Sequence, residues 1–108
     1  MSTKQMQEPT FLILTSLAAG PQHGYGIMTD VLQISEGRVR LRAGTLYAAL
    51  DRLCSADLLE ADHEEIVDTR LRRYYRLTPA GRTRLETETA RLRANAAVAA
   101  ARLRLAGS

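Results

Sequence analysis

Tryptophan is absent from this 108-residue chain, phenylalanine occurs once, and aromatic residues make up only 5% of it. A core so poor in rings must be filled by aliphatic side chains, and the length allows one such core, not two. The single cysteine, Cys54, excludes an internal disulfide and fits a reducing compartment. It stands among apolar residues at helical spacing, so it reads as a small buried hydrophobe. Histidine is nearly as scarce: His23 and His63 lie far apart, and with Cys54 alone no metal-ligand cluster is visible. There is no glycine loop suited to phosphate and no nucleophile beside a base, so catalysis has no seat and no cofactor is implied. No apolar run reaches the ~18 residues of a membrane span. Phe11 to Ala19 imitates a signal-peptide core, but Glu8 and Pro9 directly precede it and the region before them is barely basic. A cytoplasmic protein without membrane attachment is expected.

What the chain does have is arginine. Lys4 is the one lysine among 15 basic residues, and the arginine fork suits bidentate contact with phosphate or carboxylate. Hydrophobic residues form 45% and charged residues 25%, the balance of a globular domain. The formal net charge is only +3, but it is unevenly placed. Among the charged residues from Asp51 to Asp68 only Arg52 is basic, whereas from Arg70 to Arg104 ten arginines meet two glutamates. Asp57, Glu60, Asp62, Glu64 and Glu65 crowd one polar stretch with no apolar residues converging on it. They read as a solvated face rather than an acid–base pair. Beyond them, "RLRRYYRLTPAGRTRL" (Arg70 to Leu85) sets six arginines around two adjacent tyrosines.

Hydrophobic spacing predicts the elements. Pro9 fits the first turn of a helix in which Phe11, Leu14, Leu17 and Ala18 recur, and Gly20-Pro21 stops it. From Gly24 to Gly37, Ile27, Met28, Val31, Leu32 and Ile34 form the broad apolar face of a second helix. "RVRLR" (Arg38 to Arg42) alternates and reads as extended. A third helix begins near Gly44 with a stripe of Leu46, Leu50, Leu53 and Cys54, opposite Thr45, Tyr47, Ala48 and Arg52. Two short strands follow, joined near Val67-Asp68-Thr69. Alternation puts Arg73, Tyr75 and Leu77 on one face and Arg72, Tyr74 and Arg76 on the other. Thr78-Pro79 supplies a hydroxyl N-cap and a first-turn proline for a last helix reaching about Ala106, near 40 Å long. Along it Leu85, Leu92 and Ala99 stand seven apart, with Ala96 and Leu103 offset, like a and d positions. Arg91, Arg93, Arg102 and Arg104 leave only a narrow apolar stripe, which fits a partner helix better than a fold-back onto the chain's own domain.

Three helices, a hairpin and a long helix make a mainly α winged helix-turn-helix. There the second helix of the pair enters the major groove and the hairpin reaches the backbone. Residues 1–77 are expected to form the DNA-binding unit and residues 78–108 a dimerisation helix within the same structural unit. "HGYGIM" (His23 to Met28), "GTLYAALDRL" (Gly44 to Leu53), "DLLEA" (Asp57 to Ala61) and "RRYYRLTPAGRTRL" (Arg72 to Leu85) stand in the order and spacing of the PadR family of transcriptional regulators. The chain resembles that family from about Pro9 to Leu85, and its compact subgroup with one C-terminal helix. The resemblance implies a homodimeric repressor on a roughly palindromic site in double-stranded DNA, joined through the C-terminal helix and released by a small molecule or stress signal. The chain departs from the family at Gly26, where an acidic residue is usual, and at Ala48, where proline is usual. "IVDTRLRR" also lacks the glycine common at the wing tip, which leaves the turn open.

Carried over by resemblance, Arg42, Thr45 and Tyr47 face DNA from the start of the third helix, with Arg52 further along its polar side. Arg70, Arg72 and Arg73 meet phosphates from the wing. Tyr47 suits this role because its ring can pack on a sugar while its hydroxyl bonds a phosphate; the alternative is a partly buried core tyrosine. Tyr25 is expected in the core, and His23 in a turn or cap. The dimer interface is expected on Leu85, Leu92, Ala96, Ala99 and Leu103, helped by Phe11, with Glu86 and Glu88 pairing weakly to arginines across its rim. A rival is a winged-helix module whose basic wing binds an acidic protein. A further alternative is a small hydrolytic or redox enzyme centred on Cys54 and His63.

Overall fold

The computed structural model describes residues 5–107, so Lys4 and both outer ends of the two expected units lie outside the described residues. Helix α1 (Glu8–Leu17) opens at Pro9 with Glu8 in its first turn, where an acid complements the helix dipole. Glu8 also takes two bonds from Arg38, at 2.8 and 3.2 Å, tying this start to the loop after the next helix. Helix α2 (Gly24–Ile34) begins at His23, whose Nδ1 accepts from the Gly26 N–H at 3.2 Å, the capping role expected of it. It unwinds through Glu36 and Gly37, both at positive φ. The segment from Arg38 to Arg42 is not a paired strand. Helix α3 (Ala43–Ser55) follows directly.

Strands β2 (Leu59–Val67) and β3 (Arg70–Leu77) form the hairpin. Val67 pairs with Arg70, so the turn is Asp68-Thr69, with φ of 51° and 64°. Two left-handed residues make a primed hairpin turn, whose twist matches the strands without glycine. Thr69 is unusual there because it is β-branched; its hydroxyl bonds the Asp68 carbonyl. A third strand, β1 (Gln22–His23), pairs with Tyr75 and Tyr74 of β3, giving the order β1-β3-β2. At two residues, β1 is too short to show a period.

The core is aliphatic, as the scarcity of rings requires. Ile13, Leu14 and Leu17 of α1 meet Ile27 and Val31 of α2 and Leu46, Leu50 and Leu53 of α3, closed by Leu59 and Tyr75 of the sheet. Tyr25, expected in this core, is 72% exposed instead. It stands two residues, and so roughly 160° around the helix, from buried Ile27. Cys54 is half-buried, and burial pushes its thiol pKa up, with Asp51 adding to the shift.

Helix α4 (Pro79–Gly107) begins as the Thr78-Pro79 pair predicts. The Thr78 hydroxyl accepts from the Gly81 N–H at 2.9 Å and donates to the Asp57 carbonyl at 2.6 Å. Gly81 is required here, because a Cβ would lie 2.0 Å from the Leu58 carbonyl oxygen. The first turns pack mainly on α1 and β3, and Leu85 joins the edge of the core. Glu88, expected on a solvated rim, is buried within its own chain. Arg91 donates to both its oxygens, at 3.0 and 2.6 Å, and the Met6 N–H lies 3.4 Å from one of them. The Arg91 guanidinium holds its carboxyl below the usual range, against the opposing effect of burial. Past Arg91 the side chains are almost all exposed, and the molecule reaches 60 Å in its longest dimension.

Candidate nucleic-acid interface

The apolar stripe of α3 decides what its other side offers. Leu46, Ala49, Leu50 and Leu53 are buried, which leaves Gly44, Ala48 and Asp51 in the middle of the exposed side. Thr45 and Tyr47 are both exposed but occupy opposite flanks, roughly 160° apart. Thr45, Ala48 and Arg52 line a groove against Gln7, Pro9 and Thr10 at the start of α1. Tyr47 leans the other way, onto the first turn of α2, where a Cβ at Gly24 would lie 2.4 Å from its hydroxyl oxygen. The ring is nevertheless 47% exposed, so it packs by one edge and presents the other. Arg42 occupies the N-cap position of α3, and with Arg40 it lines a groove beside Tyr25, Met28 and Leu32.

The wing differs from a plain basic hairpin. Its register lays the acidic stretch of β2 directly across from the arginines of β3: Glu60 opposite Arg76, Glu64 opposite Arg73, Glu65 opposite Arg72. Arg73 Nε bonds Glu64 at 3.2 Å. Arg76 bonds Glu60 at 2.8 Å and Asp62 at 3.1 Å. Asp62 is the extra residue of a β-bulge between the Ala61–Tyr75 and His63–Tyr74 pairs, which re-aims its carboxylate. The acidic run expected to be merely solvated is therefore the counter-charge of the wing. Four arginines of β3 face five carboxylates on β2 and the turn, from Glu60 to Asp68. Arg73, expected on phosphate, is already held, while Arg70 and Arg72 make no ion pair among the described residues.

On the outer face of the sheet, Tyr74 stacks flat on His63, with ring centroids 4.3 Å apart, and meets the edge of His23 at 5.2 Å. Its hydroxyl donates to Glu65 at 3.1 Å. His63 touches Asp62 through Nδ1 and Glu65 through Nε2, and these carboxylates, Asp62 foremost, raise its pKa. Burial lowers that of His23, with nearby Arg72 adding to the effect. Arg72 also lines a groove with Gln22, His23, Tyr25, Gly26 and Asp30. Tyr25 thus borders both this groove and the one that holds Arg40 and Arg42, a position that its neighbours in sequence conceal and its helical phase reveals.

The residues expected at a dimer seam divide. Phe11 and Leu85 are half-buried against their own core, whereas Leu92, Ala96, Ala99 and Leu103 are exposed on the free half of α4. Val98 and Leu105, left out of the expected seam, are also exposed, roughly 140° around the helix from it. Among the described residues no group of three His, Cys, Asp or Glu side chains is placed to hold a metal ion, and no helix is long and apolar enough to cross a membrane.

An exposed helix after a helix-turn, followed by a two-stranded hairpin packed on the same core, defines a winged helix-turn-helix DNA-binding protein. Residues 13–87 match the transcriptional regulator PadR-like family, and the chain belongs to that family: it is a transcriptional regulator, not an enzyme. It is 48% identical over 73 residues to a transcriptional regulator of Mycobacterium tuberculosis, covering 68% of this chain and 64% of that one. Over 77 residues it is 43% identical to a 37.1 kDa protein encoded in transposon TN4556 of Streptomyces fradiae, covering 71% of this chain but only 21% of that protein. Among solved structures, a PadR family transcription regulator of Clostridium difficile superposes with a TM-score of 0.73 at 28% identity, covering 90% of this chain and 99% of that one. Bacillus subtilis PadR, solved in complex with operator DNA, shares the fold with a TM-score of 0.66 at 21% identity, over 75% of this chain and 46% of that one.

Proposed function

We propose that this regulator represses transcription in the cytoplasm as a homodimer on a roughly palindromic operator, and that a small molecule or stress signal releases it. Residues 1–77 serve as the DNA-binding unit and residues 78–108 as the dimerisation helix. In each copy α3 enters the major groove, with Thr45 and Tyr47 flanking its base-facing side and Arg42 and Arg52 near the strands' phosphates. The wing lays Arg70 and Arg72 along the backbone. The observation that carries this reading is the shared border at Tyr25: Arg72 of the wing, which makes no ion pair among the described residues, and Arg40 and Arg42 of the elbow lie in adjoining grooves. Together the two grooves bring three arginines, with Asp30 as the one carboxylate lining them among the described residues, to the surface beside the start of α3. The exposed apolar residues of α4 supply the surface that a second copy would cover, and two copies on a twofold axis would read two half-sites. The test is selection of bound duplexes from a random pool by the purified protein. An inverted repeat with half-sites about 34–36 Å apart, or a multiple of that, is expected; no enrichment over the starting pool would refute the reading.

A further inference from the structure

The tip of the wing leaves two branched apolar side chains in water, Ile66 at 77% and Leu71 at 61% exposure. They are register partners one step from the turn, so they form a single cross-strand pair. Strand alternation puts Leu71 on the same face as Arg73 and Tyr75. Tyr75 is buried in the core cluster that Leu46, Leu50 and Leu53 of α3 share, with Cys54 of that helix packed against it. The apolar pair therefore faces the side on which α3 lies. Two side chains are far too little for a protein partner, whose interface buries about 1,600 Å². Around them Arg70, Arg72 and Arg73 of β3 stand with Glu64, Glu65 and Asp68 of β2 and the turn; Arg73 pairs with Glu64, while Arg70 and Arg72 make no ion pair among the described residues and stay open to phosphate.

Reach also picks out an occupant. From Tyr75 to Arg70 is five strand steps, about 16 Å. Half a turn of DNA, about 17 Å, separates the middle of one groove from the next. With α3 in the major groove, the wing tip falls on the neighbouring minor groove, about 6 Å wide, which admits side chains but not a helix.

We infer that the Ile66–Leu71 pair is a specificity element that enters the minor groove beside each half-site and selects A·T over G·C base pairs. The inference rests on the proposed DNA-binding reading. In that groove an A·T pair shows only acceptors, while a G·C pair adds the guanine N2 amino donor. An apolar side chain pressed on that amino group strips its water and returns no hydrogen bond. A·T tracts also narrow the groove and deepen its negative potential, which favours Arg70 at the tip.

The test uses the full chain and a duplex recovered from the random pool, with the base pairs under the wing changed to A·T, G·C or inosine·C. Inosine lacks the N2 amino group. The wild type should bind the A·T and inosine·C duplexes alike and the G·C duplex about tenfold more weakly, the scale of an unfavourable base pair. The double variant Ile66→Ala/Leu71→Ala, altered only at exposed sites and with an unchanged melting temperature, should lose that discrimination while keeping the wild-type salt slope, because no phosphate contact is removed. Equal wild-type binding to all three flanks, or full discrimination retained by the variant, would overturn the inference and leave the DNA-binding reading intact. Loss of self-association in the variant would assign the pair to a second copy and overturn it too. Failure to recover any specific duplex would sink both.

Discussion

If the wing holds DNA as proposed, Glu64 restrains that hold, and removing its charge should strengthen it. Its carboxylate bonds Arg73 at 3.2 Å, with the two side chains 48% and 56% exposed. Exposed pairs of this kind hold weakly, so a phosphate can compete for the arginine. In the wild type, however, a phosphate that takes Arg73 must also approach the carboxylate left behind. Glu64→Gln keeps the shape and removes the charge, leaving four arginines against four carboxylates. Each wing should then neutralise one more phosphate, or two per homodimer. Each such contact steepens the plot of log affinity against log salt by about 0.9, so the dimer gains about 1.8. Between 50 and 200 mM salt this deepens the loss of affinity by about twelvefold. The variant should bind more tightly than wild type at low salt, on specific and random duplexes alike, and converge with it as salt rises. Fluorescence anisotropy at four salt concentrations measures both slopes. Parallel lines of equal affinity would show that Arg73 stays off the backbone even when released.

Three further outcomes follow from local geometry. Gly81→Ala places a methyl 2.0 Å from a backbone carbonyl that cannot yield, so it should cost about 1–3 kcal/mol in urea unfolding; wild-type stability would mean that α4 can shift freely. At Gly24→Ala the new methyl meets only the far end of the Tyr47 ring, which can swing. The melting temperature should hold while operator affinity falls, and unchanged affinity would remove Tyr47 from the interface. His63 has its pKa raised in the fold, so its contribution is complete below its unfolded value of about 6.5 and fades as pH rises through the folded one. Hydrogen-exchange protection of the wing, corrected for intrinsic rates, should exceed that of His63→Gln at pH 6, by a margin that shrinks as the pH is raised; a difference independent of pH would contradict this.

The helices and the hairpin were legible because each carries a local signal. The leucine spacing of α3, the Gly20-Pro21 stop and the Thr78-Pro79 start all act within a turn or two of the chain. Tyr25 was misplaced by adjacency: it sits beside Ile27 in sequence, yet helical phase sets it on the far side. The wing's charge balance needed the turn. With Asp68-Thr69 as its two central residues, every arginine of β3 acquires an acidic or apolar partner by counting back, until the bulge at Asp62 breaks the count. Nothing local announces that bulge, nor β1, whose two residues pair only because the folded core brings them to β3. The Glu88–Arg91 spacing of three was visible as a helical pair. Its burial depends on Met6, which lies at the other end of the chain and contacts it only in the fold.

The most direct test of the account is the mass of the particle that binds DNA. Ala99 is exposed in the single chain, so Ala99→Asp should leave the monomer folded and helical by circular dichroism. In the dimer the same change buries an unpaired carboxylate, which costs several kcal/mol and favours separation. Analytical ultracentrifugation at micromolar concentration, with and without a selected duplex, reads both states. The wild type should sediment at twice the mass of one chain and place two chains on each duplex, while Ala99→Asp sediments as a monomer and loses specific binding. A wild-type chain that runs as a monomer and binds DNA singly, or an Ala99→Asp chain that remains dimeric, would contradict the account.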